Sequence, residues 1–179
     1  IRMLRRLLRH IWLDADDAFR ALGEDGLQRL EARVAASEAQ HEGQICLCVE
    51  ASLPLRYLWR HLRSGERIEE VVRDRALTTF GKQRVWDTER NNGVLIYVLL
   101  AENEIEIVAD RGLSARVAPV RWTALVEELA AHFRQGRLED GLAHAIDVVG
   151  RELQAAFPRS VIAPMADDGN ELPNRAILR

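Results

Sequence analysis

The rhythm of apolar and polar positions changes several times along the chain, and each change marks an element. Gly93 to Leu100 is wholly apolar, as expected of a strand covered on both faces. Glu104 to Ala109 begins by alternating charged with apolar residues, the pattern of a half-buried return strand. Ala101 to Asn103 lies between them and predicts a tight turn, so the two runs form a hairpin. Gln44 to Ala51 is apolar on both faces until Glu50 and predicts an internal strand.

Helical spacing fills most of the rest. Arg2 to Leu13 sets Leu4, Leu7, Leu8 and Ile11 on one face with arginines beside them, the pattern of an amphipathic helix. The acids Asp14, Asp16 and Asp17 break that pattern and suit a helix cap. A long helix then runs from about Glu24 to His41 on a stripe of Leu27, Leu30 and Val34, with Gly43 closing it. Ser52 to Gly65 is a connection holding a short irregular helix, and Glu66 to Phe80 is a second amphipathic helix closed by Gly81. Pro119 opens a helix that reaches Gly136, and a last one runs from Leu138 to just before Pro158. Residues 158–179 carry Pro164, Asp167, Asp168, Gly169 and Pro173 and read as an extended or disordered tail. The organisation is an N-terminal helix over 1–13, one domain over 14–157, and the tail.

A strand, helix, strand succession is right-handed and places its two strands parallel. A central strand apolar on both faces needs cover on both. The fold class is therefore α/β: an α/β/α sandwich with a small mixed β-sheet, a parallel crossover plus a hairpin, between helix layers.

Composition narrows the function classes. A net charge of −3 over 179 residues argues against a nucleic-acid partner, which demands a large basic field. The apolar run after Gly93 is far too short to span a membrane. Cys46 and Cys48 point the same way from one strand, too far apart for easy bridging; as buried thiols they fit a cytoplasmic address. The N-terminal stretch, residues 2–13, suits either peripheral contact with an anionic membrane or docking on a protein.

The hairpin's open end holds the candidate chemistry. Antiparallel pairing brings Asn91 and Asn92 near Asp110 and Arg111, with Asp87 close in sequence. These residues offer hard oxygens for calcium or magnesium and an arginine fork for phosphate; they are equally ordinary turn chemistry and a surface ion pair. Glu104 and Glu106 share the polar face of the return strand. The general preference of ligands for the carboxyl ends of parallel strands points instead to Glu50, Ser52 and Arg56. The histidines show no metal-ligand spacing, and neither a phosphate loop nor a nucleophile elbow is present.

Taken together, the long helix, the Asn92–Gly93–Val94 start of the hairpin, the Ala109–Asp110–Arg111–Gly112–Leu113 run and the Phe133–Arg134 to Gly136 close before a final helix resemble the TPM domain family, in the form of its short bacterial branch met beside LemA-type membrane proteins. The resemblance implies an α/β/α sandwich, a divalent-metal site for calcium or magnesium, and the acid phosphatase activity of some relatives. It places the family's acid before the long helix at Asp16 or Asp17, its Asn/Asp before glycine at Asn92, and its strand-end glutamate at Glu106. The carboxylate the family carries after the leucine is missing, Ser114 standing in its place, so a metal site of the family's kind requires Asp110 to replace the lost ligand. Two functions are thus expected: an interaction or maintenance module linked to a LemA-like membrane protein, or a metal-dependent phosphatase with Asp87, Glu106 and Asp110 as ligands and Arg111 on phosphate.

Overall fold

Residues 8–159 and 172–179 are described by the computed structural model; the expectations for residues 2–7 and 160–171 lie outside them. Residues 8–12 are helical. The chain continues as α1 (Ala15–Glu38), β1 (Gln44–Glu50), α2 (Leu55–Ser64), α3 (Ile68–Lys82), β2 (Gly93–Leu99), β3 (Glu104–Ala109), α4 (Arg111–Ser114), α5 (Pro119–Arg134), α6 (Leu138–Ala156) and β4 (Ile177–Leu178).

The strands form one sheet in the order β3-β2-β1-β4. β1 and β2 run parallel, with Gln44 opposite Gly93 and Glu50 opposite Leu99, which is the expected crossover. β2 and β3 are antiparallel, with Val94 opposite Ala109 and Leu99 opposite Glu104, which is the expected hairpin. In its turn Asn103 takes φ 55°, a left-handed geometry that asparagine tolerates. β4 adds a strand where the sequence predicts only an extended or disordered tail: Ile177 lies parallel opposite Cys48 and Leu178 opposite Val49. Arg179 N–H donates to Val49 O at 3.1 Å and Ala51 N–H to Arg179 O at 2.6 Å. Main-chain groups hold it, so composition does not announce it. With β4 in place β1 is internal, as its two-faced apolar pattern requires.

Period-two alternation sends successive strand residues to opposite layers. Ile45, Leu47 and Val49, with Val94, Ile96 and Val98, pack under Leu30 and Val34 of α1, Leu125 and Leu129 of α5, and Ile146 and Val149 of α6. Cys46 and Cys48, with Leu95 and Tyr97, face Tyr57 and Leu58 of α2 and Val71 and Val72 of α3. Both thiols are free and buried, and burial pushes them up, Cys46 to about 11 and Cys48 to about 12. The helix–sheet–helix sandwich is the fold.

Helix ends depart from the pattern. α1 begins at the Asp14 cap, where Asp14 Oδ1 accepts from Asp16 N–H at 2.9 Å and Asp17 N–H at 3.2 Å while Asp17 Oδ2 accepts from Asp14 N–H at 2.9 Å. Gly23 at φ 69°, ψ 167° kinks it, so the stripe from Glu24 is only its second arm. That arm ends at Glu38, and Gly43 serves packing instead: a Cβ there would lie 2.3 Å from Leu153 Cδ2. α2 is regular, ended by Gly65 at φ 70°. Among the described residues no helix is long and apolar enough to cross a membrane.

Candidate functional site

At the amino ends of the parallel strands, the loop before β2 meets the start of α4. Asp110 N–H donates to Gly93 O at 2.9 Å and Gly112 N–H to Asn91 O at 2.9 Å. This approach needs Gly112, whose Cβ would sit 2.5 Å from Asn91 O, while Gly93 lets the loop itself pass the strand, its Cβ otherwise lying 2.0 Å from Val85 O. The two glycine motifs therefore record main-chain crowding as well as turn chemistry.

Asn91 takes φ 52°, and its Oδ1 accepts from Nε and Nη2 of Arg111, both at 3.2 Å. The exposed guanidinium is thereby held in one orientation. Asn92 is fully buried; its Nδ2 donates to Glu42 O at 3.0 Å and its N–H to Thr88 Oγ1 at 3.1 Å. Asp110 caps α4, its Oδ1 accepting from Arg111 N–H at 2.7 Å. Asn92 Oδ1 and Asp110 Oδ2 are buried without a hydrogen-bond partner among the described residues. Leaving such an oxygen unsatisfied costs about 1–3 kcal/mol. Glu42 Oε2 also lacks a hydrogen bond, but it is ion-paired with Arg90.

The remaining expected ligands are not brought to this cluster. Asp87 is exposed and paired with Arg84 in its own loop. Glu106 accepts from Arg73 Nη1 at 2.7 Å, and strand spacing puts it roughly 13 Å along the chain from Asp110. Among the described residues no three His, Cys, Asp or Glu side chains are placed to hold a metal ion. The set Asp87, Glu106 and Asp110 therefore does not fit a divalent cation. Asp16 and Asp17 serve the α1 cap, and Ser114 Oγ donates to Ala109 O at 2.8 Å.

The carboxyl ends of the strands are filled by an ion pair. Glu50 is buried, and Arg75 reaches it with two bonds, Nε to Oε2 at 2.8 Å and Nη2 to Oε1 at 2.6 Å. Tyr97 Oη donates to Glu50 Oε2 at 2.5 Å. The carboxylate holds Arg75 above its ordinary range; burial, reinforced by Glu50, pushes the Tyr97 phenol far up, so it stays a donor. Arg75 also lies 5.5 Å from the Tyr57 ring centroid. Its signal in the sequence is a charge at helical spacing from Val71, Val72 and Thr79, on the buried face of α3.

A groove of about 670 Å³ between α1 and α6, which the sequence does not reveal, is lined by Arg33, Ser37, His41, Asp147, Gly150 and Arg151 among others. His41 Nδ1–H donates to Gly43 O at 3.1 Å, and Ser37 Oγ donates to His41 Nε2 at 3.0 Å. Burial lowers His41 to about 4, too weak a base to activate the hydroxyl at neutral pH. Arg33 is held by Asp147 at 2.7 Å.

A family model for the TPM domain matches residues 16–152. The BA42 protein of the psychrophilic bacterium Bizionia argentinensis, an NMR structure, is 25% identical and superposes with a TM-score of 0.70 over 87% of this chain and 94% of that one. The N-terminal domain of a P. gingivalis protein, also an NMR structure, shares the fold at 17% identity and a TM-score of 0.57, over 79% of this chain and 86% of that one. No curated protein matches the sequence.

Proposed function

Since the chain belongs to the TPM domain family, matched over residues 16–152, we propose that it acts as a non-catalytic or weakly catalytic interaction and maintenance module, holding an anionic group of a LemA-like membrane-protein partner on the cytoplasmic side. The observation that carries this reading is Arg111, whose exposed guanidinium is fixed by Asn91 Oδ1 through two bonds of 3.2 Å. An oriented guanidinium suits carboxylate or phosphate recognition. Meanwhile Asp87 and Glu106 are each neutralised by an arginine, which leaves no assembled hydrolytic set among the described residues. Turnover of p-nitrophenyl phosphate with calcium or magnesium should then match that with chelator, and Asp110→Asn should not change it. Metal-dependent turnover that falls about tenfold or more in Asp110→Asn would replace this reading with the phosphatase.

The orphaned oxygens favour a second reading, calcium or magnesium bound by Asn92 Oδ1 and Asp110 Oδ2 with water completing the shell. Binding to the folded state alone would raise Tm as the ion is added. An unchanged Tm across a millimolar calcium and magnesium titration removes it.

A further inference from the structure

The opposite end of the sheet carries large apolar side chains that no described residue covers. His10 Nδ1 accepts from Leu53 N–H at 3.0 Å, so its ring proton sits on Nε2 and meets Glu102 Oε1 at 2.9 Å. Arg9 Nη1 donates to Ala101 O at 2.9 Å. Residues 8–12 are thus seated on the β2–β3 turn and on the segment leading into α2. Around this joint Ile11 and Trp12 are 61% and 80% exposed, and Leu55 and Trp59 are each 70% exposed.

α2 explains why these positions are not merely surface noise. Its buried face is Tyr57 and Leu58. At 100° per residue the other side runs Leu62, Leu55, Trp59, then Arg63, Arg56 and Arg60 in one arc, an apolar edge passing into a basic flank. Arg60 is tied to Glu66 and Asp74, whereas Arg56 and Arg63 are exposed on the helix. No acid occurs from Ala51 to Gly65, although the whole chain is acidic, so the exposed edge of α2 itself carries only basic charge.

We propose that residues 8–12 and the Leu55–Trp59 edge of α2 form a docking surface for an anionic lipid bilayer. Tryptophans and arginines side by side are the chemistry of the membrane–water interface. The exposed apolar edge of α2 suits shallow insertion, and the basic flank complements acidic headgroups. This goes beyond the partner reading and stands apart from Arg111, which belongs to the opposite end of the sheet.

The test is co-sedimentation of the full chain with vesicles of equal phosphatidylcholine and phosphatidylserine, against pure phosphatidylcholine, at low and high salt. Binding is expected to the anionic vesicles only and to fall with salt. Trp59→Ala should weaken it about tenfold, and Arg56→Gln with Arg63→Gln likewise, each keeping wild-type circular dichroism. Arg111→Gln should leave it unchanged, which separates this surface from the partner site. No sedimentation, or sedimentation insensitive to the α2 variants, overturns the proposal. A dimer in solution that Trp59→Ala dissociates overturns it in favour of a second copy of the chain.

Discussion

Replacing Glu50 by alanine would leave Arg75 buried beside Tyr97 with its charge unmatched. Breaking a buried pair from one side costs about 3–5 kcal/mol, whereas the half-exposed Arg73–Glu106 pair is worth less than about 1 kcal/mol. Urea midpoints of Glu50→Ala and Glu106→Ala should therefore differ widely; similar values would show that the Glu50 network is not a structural centre. At this scale the sequence shows polar residues but not their partners. Asn91 and Arg111 meet because strand register dictates it, and register is readable, whereas Asn92 turns to Glu42 and Thr88 instead. Glu50 stands out as a charge ending an apolar strand, and Arg75 as a charge on an apolar helix face, but only packing α3 on the sheet joins them. Asp87 and Glu106 were legible as acids and not as ion-paired ones, because Arg84 and Arg73 reach them through local and cross-element contacts that spacing does not encode.

Elements were legible wherever burial imposes a period. The hairpin, the parallel crossover and the long helices follow from runs of apolar positions. Features made by the backbone were hidden: the kink at Gly23, the arm of α1 before it, and β4. The glycines at the site lie between these cases, visible as turn residues but needed for crowding. Gly93→Ala and Gly112→Ala should each destabilise the fold by about 1–3 kcal/mol or more, because the added methyl meets carbonyl oxygens of adjoining segments. Gly81, with nothing within 4 Å of a Cβ, should accept alanine at no cost. Thermal melts of the three variants compare them directly, and equal Tm values would contradict the crowding argument.

For the whole molecule, the seam where α1, β1 and the tail meet sets the response to pH. Burial raises Glu38 from 4.5 to about 7 and lowers His41 from 6.5 to about 4. Folded Glu38 binds its proton more tightly than the unfolded chain does, so its contribution is full below about 4.5 and lost as pH rises through about 7. That of His41 is full above about 6.5 and lost as pH falls through about 4. The two oppose each other in between and flatten the profile. Glu38 Oε1 accepts from Ile45 N–H at 2.8 Å, a bond glutamine can keep, so Glu38→Gln should gain on wild type as pH rises from about 5 to about 8, by on the order of a few kcal/mol. A constant difference in urea midpoint would contradict that. Anion recognition rather than hydrolysis at the Asn91–Arg111 end of the sheet is tested by following backbone amide NMR signals while inorganic phosphate is added. Saturable shifts confined to Asn91–Gly93 and Asp110–Gly112 are expected, and they should vanish in Arg111→Gln. Shifts elsewhere, none at all, or the same shifts in Arg111→Gln would contradict it.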